Sequence, residues 1–170
     1  MSVAALRAGS VIAVCLATLL APLLGGMLLA VESQAQSLTT MRVSPEGGDH
    51  CIEVVDQRVA PDQRLQMQDC NNAPAQMFTY DASNTRLMIG TLCVDATAGQ
   101  PGDIVKLSPC NGGPSQAWKI EPKGGGFDKL VGINGLCLDV RYGSTERGAF
   151  VQVWTCNDPG PNELWRFQHR

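Results

Sequence analysis

Histidine is almost missing from this 170-residue chain. Only His50 and His169 occur, and neither has a metal-ligating partner at useful spacing. The chain has no Cys-x-x-Cys, no glycine-rich phosphate loop and no Gly-x-Ser-x-Gly elbow, which removes the motif-bearing routes to metal, nucleotide and serine-hydrolase chemistry. Charged residues make up only 17%, with a net charge of −3 at pH 7. So mild a balance gives no footing for nucleic acid or an anionic membrane surface as partner. Beyond the N-terminal stretch no window holds a 3.6-residue apolar period, so long helices are not expected. What is plentiful is turn chemistry, with 18 Gly and 10 Pro.

Residues 1–35 read as a separate object. Arg7 is a sparse positive n-region, Val11–Val31 carries no charge, and Ser33-Gln34-Ala35 places small residues at the −3 and −1 positions of a cleavage site. The expectation is a signal peptide over 1–35, cut near Ala35, and a secreted or periplasmic product. A retained anchor is the alternative, since 21 apolar residues are long enough to span a bilayer; Pro22 and Gly25-Gly26 argue against a stable spanning helix. No membrane insertion of the remainder is expected. That remainder, 36–170, keeps the charge balance, because one Arg and one Glu leave together. Its cysteines fall from seven to six, and an even number in an exported chain implies disulfides.

Those six cysteines carry a period. Cys51 and Cys70, Cys93 and Cys110, and Cys137 and Cys156 form three pairs of similar spacing, repeating about every 43 residues. Fifteen pairings are possible in principle. Equivalent units should close equivalent loops, which favours one disulfide per repeat: Cys51–Cys70, Cys93–Cys110 and Cys137–Cys156. Other features keep the register. Cys51-Ile52-Glu53, Cys93-Val94-Asp95 and Cys137-Leu138-Asp139 open the three units; Gln76-Met77-Phe78, Gln116-Ala117-Trp118 and Glu163-Leu164-Trp165 close them.

Strands are expected throughout. Leu65–Gln68, Val105–Ser108 and Val151–Trp154 alternate with a period of two, and Arg86–Ile89 and Leu130–Ile133 run into Gly90 and Asn134-Gly135. Asn134-Gly135 is a strong hairpin signal. Three four-strand units closing on one another make a barrel capped by hairpins, which leaves no free strand edge.

Cys-x-Asp or Cys-x-Glu, a second cysteine and Gln-x-Trp or its near variants, three times over, resembles the ricin B-type lectin family across about residues 38–168. The resemblance implies an all-β fold: a β-trefoil occupying 36–170, with repeats at about 38–80, 81–122 and 123–168. It also implies sugar binding, so each repeat needs its own reading. With Val151 and Val153 facing the core, Gln152 and Trp154 face outward. The same phase turns Gln66 and Gln68 outward in the first repeat, and Lys106 and Ser108 in the second. Only the third presents an aromatic ring, and a pyranose needs a flat apolar surface for its C–H face and fixed polar groups for its hydroxyls.

Carried over by motif, the resemblance assigns the pocket to Asp139, Trp154 and Asn162, with Gln152 in support; Tyr142, in the flanking loop, is placed at the rim by its position in the sequence. Glu163 stands where the family has Gln; an acid accepts but does not donate, so it weakens the site or alters its preference. The family's usual ligands are galactose-type sugars or polysaccharide. Trp118, Trp165 and Phe78 recur at one place in each repeat and are assigned to the core. Two other readings stay open: Asp139 satisfying turn amides, and Trp154 facing a partner protein, as in the delivery subunit of a toxin or a protease inhibitor. No catalytic residue, metal or cofactor is expected. Oligomeric state is not encoded in any motif.

Overall fold

The structure is a computed structural model that describes residues 36–37, 40–43, 50–144, 146–157 and 160–168. The N-terminal segment assigned to a signal peptide, and His169, lie outside these residues. Thirteen strands and six one-turn 3-10 helices make up the described chain, with no α-helix among the described residues. In order the strands are β1 (Gln36–Ser37), β2 (Thr40–Val43), β3 (His50–Val54), β4 (Leu65–Asp69), β5 (Phe78–Asp81), β6 (Arg86–Ile89) and β7 (Leu92–Asp95). There follow β8 (Lys106–Pro109), β9 (Lys119–Gly124), β10 (Phe127–Val131), β11 (Leu136–Val140), β12 (Val151–Thr155) and β13 (Trp165–Gln168).

The three cysteine-bearing units become three equivalent hairpins, β3–β4, β7–β8 and β11–β12. Their registers match residue for residue: Glu53 pairs with Gln66, Asp95 with Lys106 and Asp139 with Gln152. Two residues along, Cys51 pairs with Gln68, Cys93 with Ser108 and Cys137 with Trp154. Each hairpin is closed by its own disulfide, Cys51–Cys70, Cys93–Cys110 and Cys137–Cys156, in the pairing the repeat favours.

The hairpins meet around an approximate three-fold axis through single backbone bonds. The Leu65 amide donates to Val105 O, Val105 to Val151 O and Met67 to Ala149 O, at 3.2, 3.0 and 2.8 Å. β13 pairs with β2 and β10, so the C-terminal strand joins the first repeat to the third. This is a β-trefoil. One departure from three four-strand units is β1, which precedes the first repeat and pairs with Tyr80 and Thr79 of β5.

The core follows from the period-two pattern. Val54, Leu65, Met67, Leu107, Leu138, Val140, Val151 and Val153 have no exposed surface. Phe78, Trp118 and Trp165 fill the space beneath the hairpins, at most 1% exposed. The indole N–H of Trp118 donates to Val94 O (2.9 Å) and that of Trp165 to Leu138 O (3.1 Å), so neither buried donor is left unsatisfied. Asn134 and Gly135 both adopt positive φ, 57° and 72°, in the turn joining β10 to β11. The strand before that turn ends at Val131 rather than Ile133, because Ile133 already belongs to the turn.

Candidate functional site

Repeat three differs from the others on its outward face. Asp139 and Gln152 are cross-strand partners, so their side chains leave the hairpin on the same side, as do those of Cys137 and Trp154. A cleft of about 330 Å³ opens there, lined by Asp139, Gln152, Asn162, Asn157, Trp154 and Tyr142, with Arg141 and the backbone of Gly102 and Gly143.

The floor is polar and organised. Gln152 Nε2 donates to Asp139 Oδ1 at 2.7 Å, and Asn162 Nδ2 donates to Asp139 Oδ2. Asp139 is 1% and Gln152 6% exposed. Gln152 therefore faces outward in the strand but lies under the cleft rather than in solvent. Burial pushes the Asp139 carboxyl up to about 6, and the nearby Glu163 carboxylate adds to the rise, while the Gln152 and Asn162 amides oppose it.

The walls are aromatic. Trp154 is 42% exposed. Its ring rests on the loop before β8, where a Cβ at Gly102 would sit 3.4 Å from the indole, and Gly102 itself has φ of 95° and donates its amide to Val153 O at 2.7 Å. The second repeat thus supplies the surface that holds the third repeat's tryptophan. Tyr142 is 85% exposed and has φ of 61°, a left-handed conformation uncommon for an aromatic residue.

A comparison of the three carboxylates separates structural from available groups. Asp95 Oδ1 accepts from its own turn, the Thr97 amide at 2.8 Å, and Oδ2 accepts from Gln116 Nε2 at 3.0 Å. Glu53 Oε2 accepts from Gln76 Nε2 at 3.0 Å and from Asn71 Nδ2 at 3.4 Å. No backbone amide among the described residues donates to Asp139; both its partners are side chains that line the cleft. The turn-amide reading suits Asp95, not Asp139. On the outward face of the other repeats, Lys106 is tied to Asp62 at 2.7 Å and Gln68 to Arg147 at 2.8 Å, and Gln68 and Ser108 stand at the place of Trp154.

Glu163 is brought near Asp139 but not into the cleft. It has no exposed surface and does not line the opening. Each unit's closing residue ends a one-turn helix that starts with proline: Pro74–Gln76, Pro114–Gln116 and Pro161–Glu163. Gln76 and Gln116 each accept from a loop amide, Asn71 or Asn111, and donate to the acid of their own hairpin. Glu163 keeps the accepting half, taking the Asn157 amide at 2.9 Å. The donating half is lost and replaced twice: Asn162 donates to Asp139, and Lys129 from β10 pairs with Glu163 Oε2 at 3.1 Å while donating to Asn157 O. Both partners of this ion pair are buried. Sequence reading missed Lys129; the acid at a place held by Gln elsewhere was the signal that a cation had to be close. Among the described residues no cluster of His, Cys, Asp or Glu is suited to a metal ion, and no helix is long and apolar enough to cross a membrane.

Comparison with known proteins places this geometry. The model of the ricin-type beta-trefoil lectin domain matches residues 39–131 and, in a second overlapping match, 91–170. A curated relative, beta-galactoside-specific lectin 2 of Viscum album, is 45% identical over 38 residues, which is 22% of this chain and 7% of that protein. Among solved structures, the designed three-fold symmetric protein ThreeFoil superposes with a TM-score of 0.71 at 22% identity, over 77% of this chain and 97% of its own. The C-half of the earthworm R-type lectin, solved with GalNAc, gives 0.63 at 18% identity, over 79% and 99%. At those identities the two structures speak for the fold.

Proposed function

Since the chain belongs to the ricin-type beta-trefoil lectin family, we propose that it is a non-catalytic lectin that binds galactose-type sugars through the Asp139–Trp154 cleft of its third repeat. The observation that carries this reading is the Asp139 carboxylate. Side chains rather than its own turn hold it, and it lies beneath the one exposed tryptophan among the described residues. A pyranose laid on Trp154 directs its hydroxyls toward Asp139, which has lone pairs to spare, and toward the Asn162 and Gln152 amides. Both amides are already oriented by Asp139, so little side-chain entropy is lost on binding. The relatives' printed ligands, a beta-galactoside and GalNAc, support the galactose class.

A single open site of this size implies a monosaccharide affinity on the order of millimolar, about −4 kcal/mol. Stronger attachment to a cell surface or polysaccharide then comes from several sites engaged together. Calorimetric titration with galactose tests the assignment. Trp154→Ala is expected to remove about 1–3 kcal/mol of binding, in the range of an aromatic stacking contact, with the melting temperature unchanged. Unaltered affinity in Trp154→Ala and Asp139→Ala would remove the cleft from consideration and return the loops to a protein partner.

A further inference from the structure

Where the first cleft ends, a second begins. It has a volume of about 420 Å³ and runs along the β11–β12 connection. Arg141 and Tyr142 line both. The far wall is Phe150, with Arg147 and the backbone of Gly148 and Ala149 below it.

Three features of this region point beyond the first cleft. Tyr142 projects into solvent from a left-handed backbone position that favours glycine or asparagine, so packing does not account for a large ring there. The Arg141 guanidinium stacks on that ring at 4.8 Å, lines both clefts and, among the described residues, has no hydrogen-bond or ion-pair partner. The far wall is fixed in advance from the first repeat. Arg147 is held by Gln68 at 2.8 Å and by Asp69 at 3.2 Å, Arg64 covers one side of Phe150 at 4.2 Å, and the Gly148 amide donates to Met67 O at 2.8 Å. A concave, preformed surface with aromatic rings and free donors, continuous with a sugar-sized cleft, suits the next unit of the same ligand.

We infer that the site is bipartite and selects an oligosaccharide of at least two units. The first unit lies on Trp154, the chain crosses Tyr142, and the second unit lies against Phe150 with Arg141 donating to its oxygens. This rests on the carbohydrate reading of the first cleft and adds its length preference. Specificity for a longer glycan then arises from Tyr142 and Phe150, a pair of aromatic residues that the corresponding stretches of the other repeats lack.

Titration with galactose and with β-galacto-oligosaccharides of two to four units tests it, on the oxidised chain, with thermal melts to confirm folding. The unaltered protein is expected to bind the oligosaccharides about tenfold more tightly than galactose. Ser144→Trp, which fills the second cleft, and Phe150→Ala, which removes its wall, should each cancel that advantage while leaving galactose affinity as it was. Equal affinity for galactose and the oligosaccharides in the unaltered protein would overturn the bipartite site and leave the first cleft standing. So would an oligosaccharide advantage that survives both substitutions. Failure to bind either sugar would overturn the carbohydrate reading itself, and the bipartite site with it.

Discussion

Asp139 is the residue whose chemistry sets the behaviour of the site. Its carboxyl is raised to about 6 by burial and by Glu163, against the pull of the Gln152 and Asn162 amides. Glu163 is itself paired with Lys129, and Arg141 lines the cleft edge. Sugar hydroxyls donate to the ionised form, so galactose affinity should fall about tenfold between pH 7 and pH 5, a decline that calorimetry at the two values measures. Stability moves the other way. The folded-state value lies above that of a free carboxyl, so the folded protein holds the proton between about pH 4 and 6. The Asp139 contribution therefore becomes less favourable as pH rises through that window, and a series of melts reads it against Asp139→Asn. Tyr142 makes the opposite trade. Tyr142→Gly should leave stability unchanged or raise it by up to ~1 kcal/mol, by relieving the left-handed backbone, while weakening sugar binding. That Asp139, Trp154 and Asn162 line one cleft was legible from the strand alternation and the family resemblance. Lys129 was not, since its partner lies 34 positions away in a one-turn helix and no local period links them.

At the scale of elements, the hairpins were easy to read and the wiring beneath them was not. Alternation gave the faces of β4, β8 and β12, since one face is buried and a slip of one residue would turn every valine outward. The short 3-10 turns carry no periodicity, and their signal is a proline two places before each closing residue. In the third of them Glu163 and Lys129 form a buried pair that joins the turn to β10. Lys129→Met leaves a buried carboxylate uncompensated and should destabilise the protein by about 3–5 kcal/mol in urea unfolding. Adding Glu163→Gln, which restores the amide found in the other two repeats, should recover most of that loss. A Lys129→Met protein as stable as the parent would mean that the pair does not hold the turn.

For the whole molecule, the trefoil makes three similar units share one core while, among the described residues, the third sets an exposed tryptophan beside a cleft over its Asp. Each disulfide closes a loop of comparable length and should contribute about 3 kcal/mol on a chain-entropy account. Converting Cys51 and Cys70 to alanine should therefore lower stability and spare galactose binding, whereas the same change at Cys137 and Cys156 should lower both. Export is a separate expectation: amino-terminal sequencing of the protein recovered outside the cytoplasm should begin at Gln36.

The central claim is that the third repeat carries the sugar site, and an NMR titration of the isotopically labelled protein with galactose tests it most directly. The account predicts shifts confined to the Trp154 indole, the Gln152 and Asn162 side-chain amides and the backbone of Asp139 and Tyr142. Shifts centred instead on Asp95 and Lys106 or on Glu53 and Gln68, or no shifts at millimolar galactose, would contradict it.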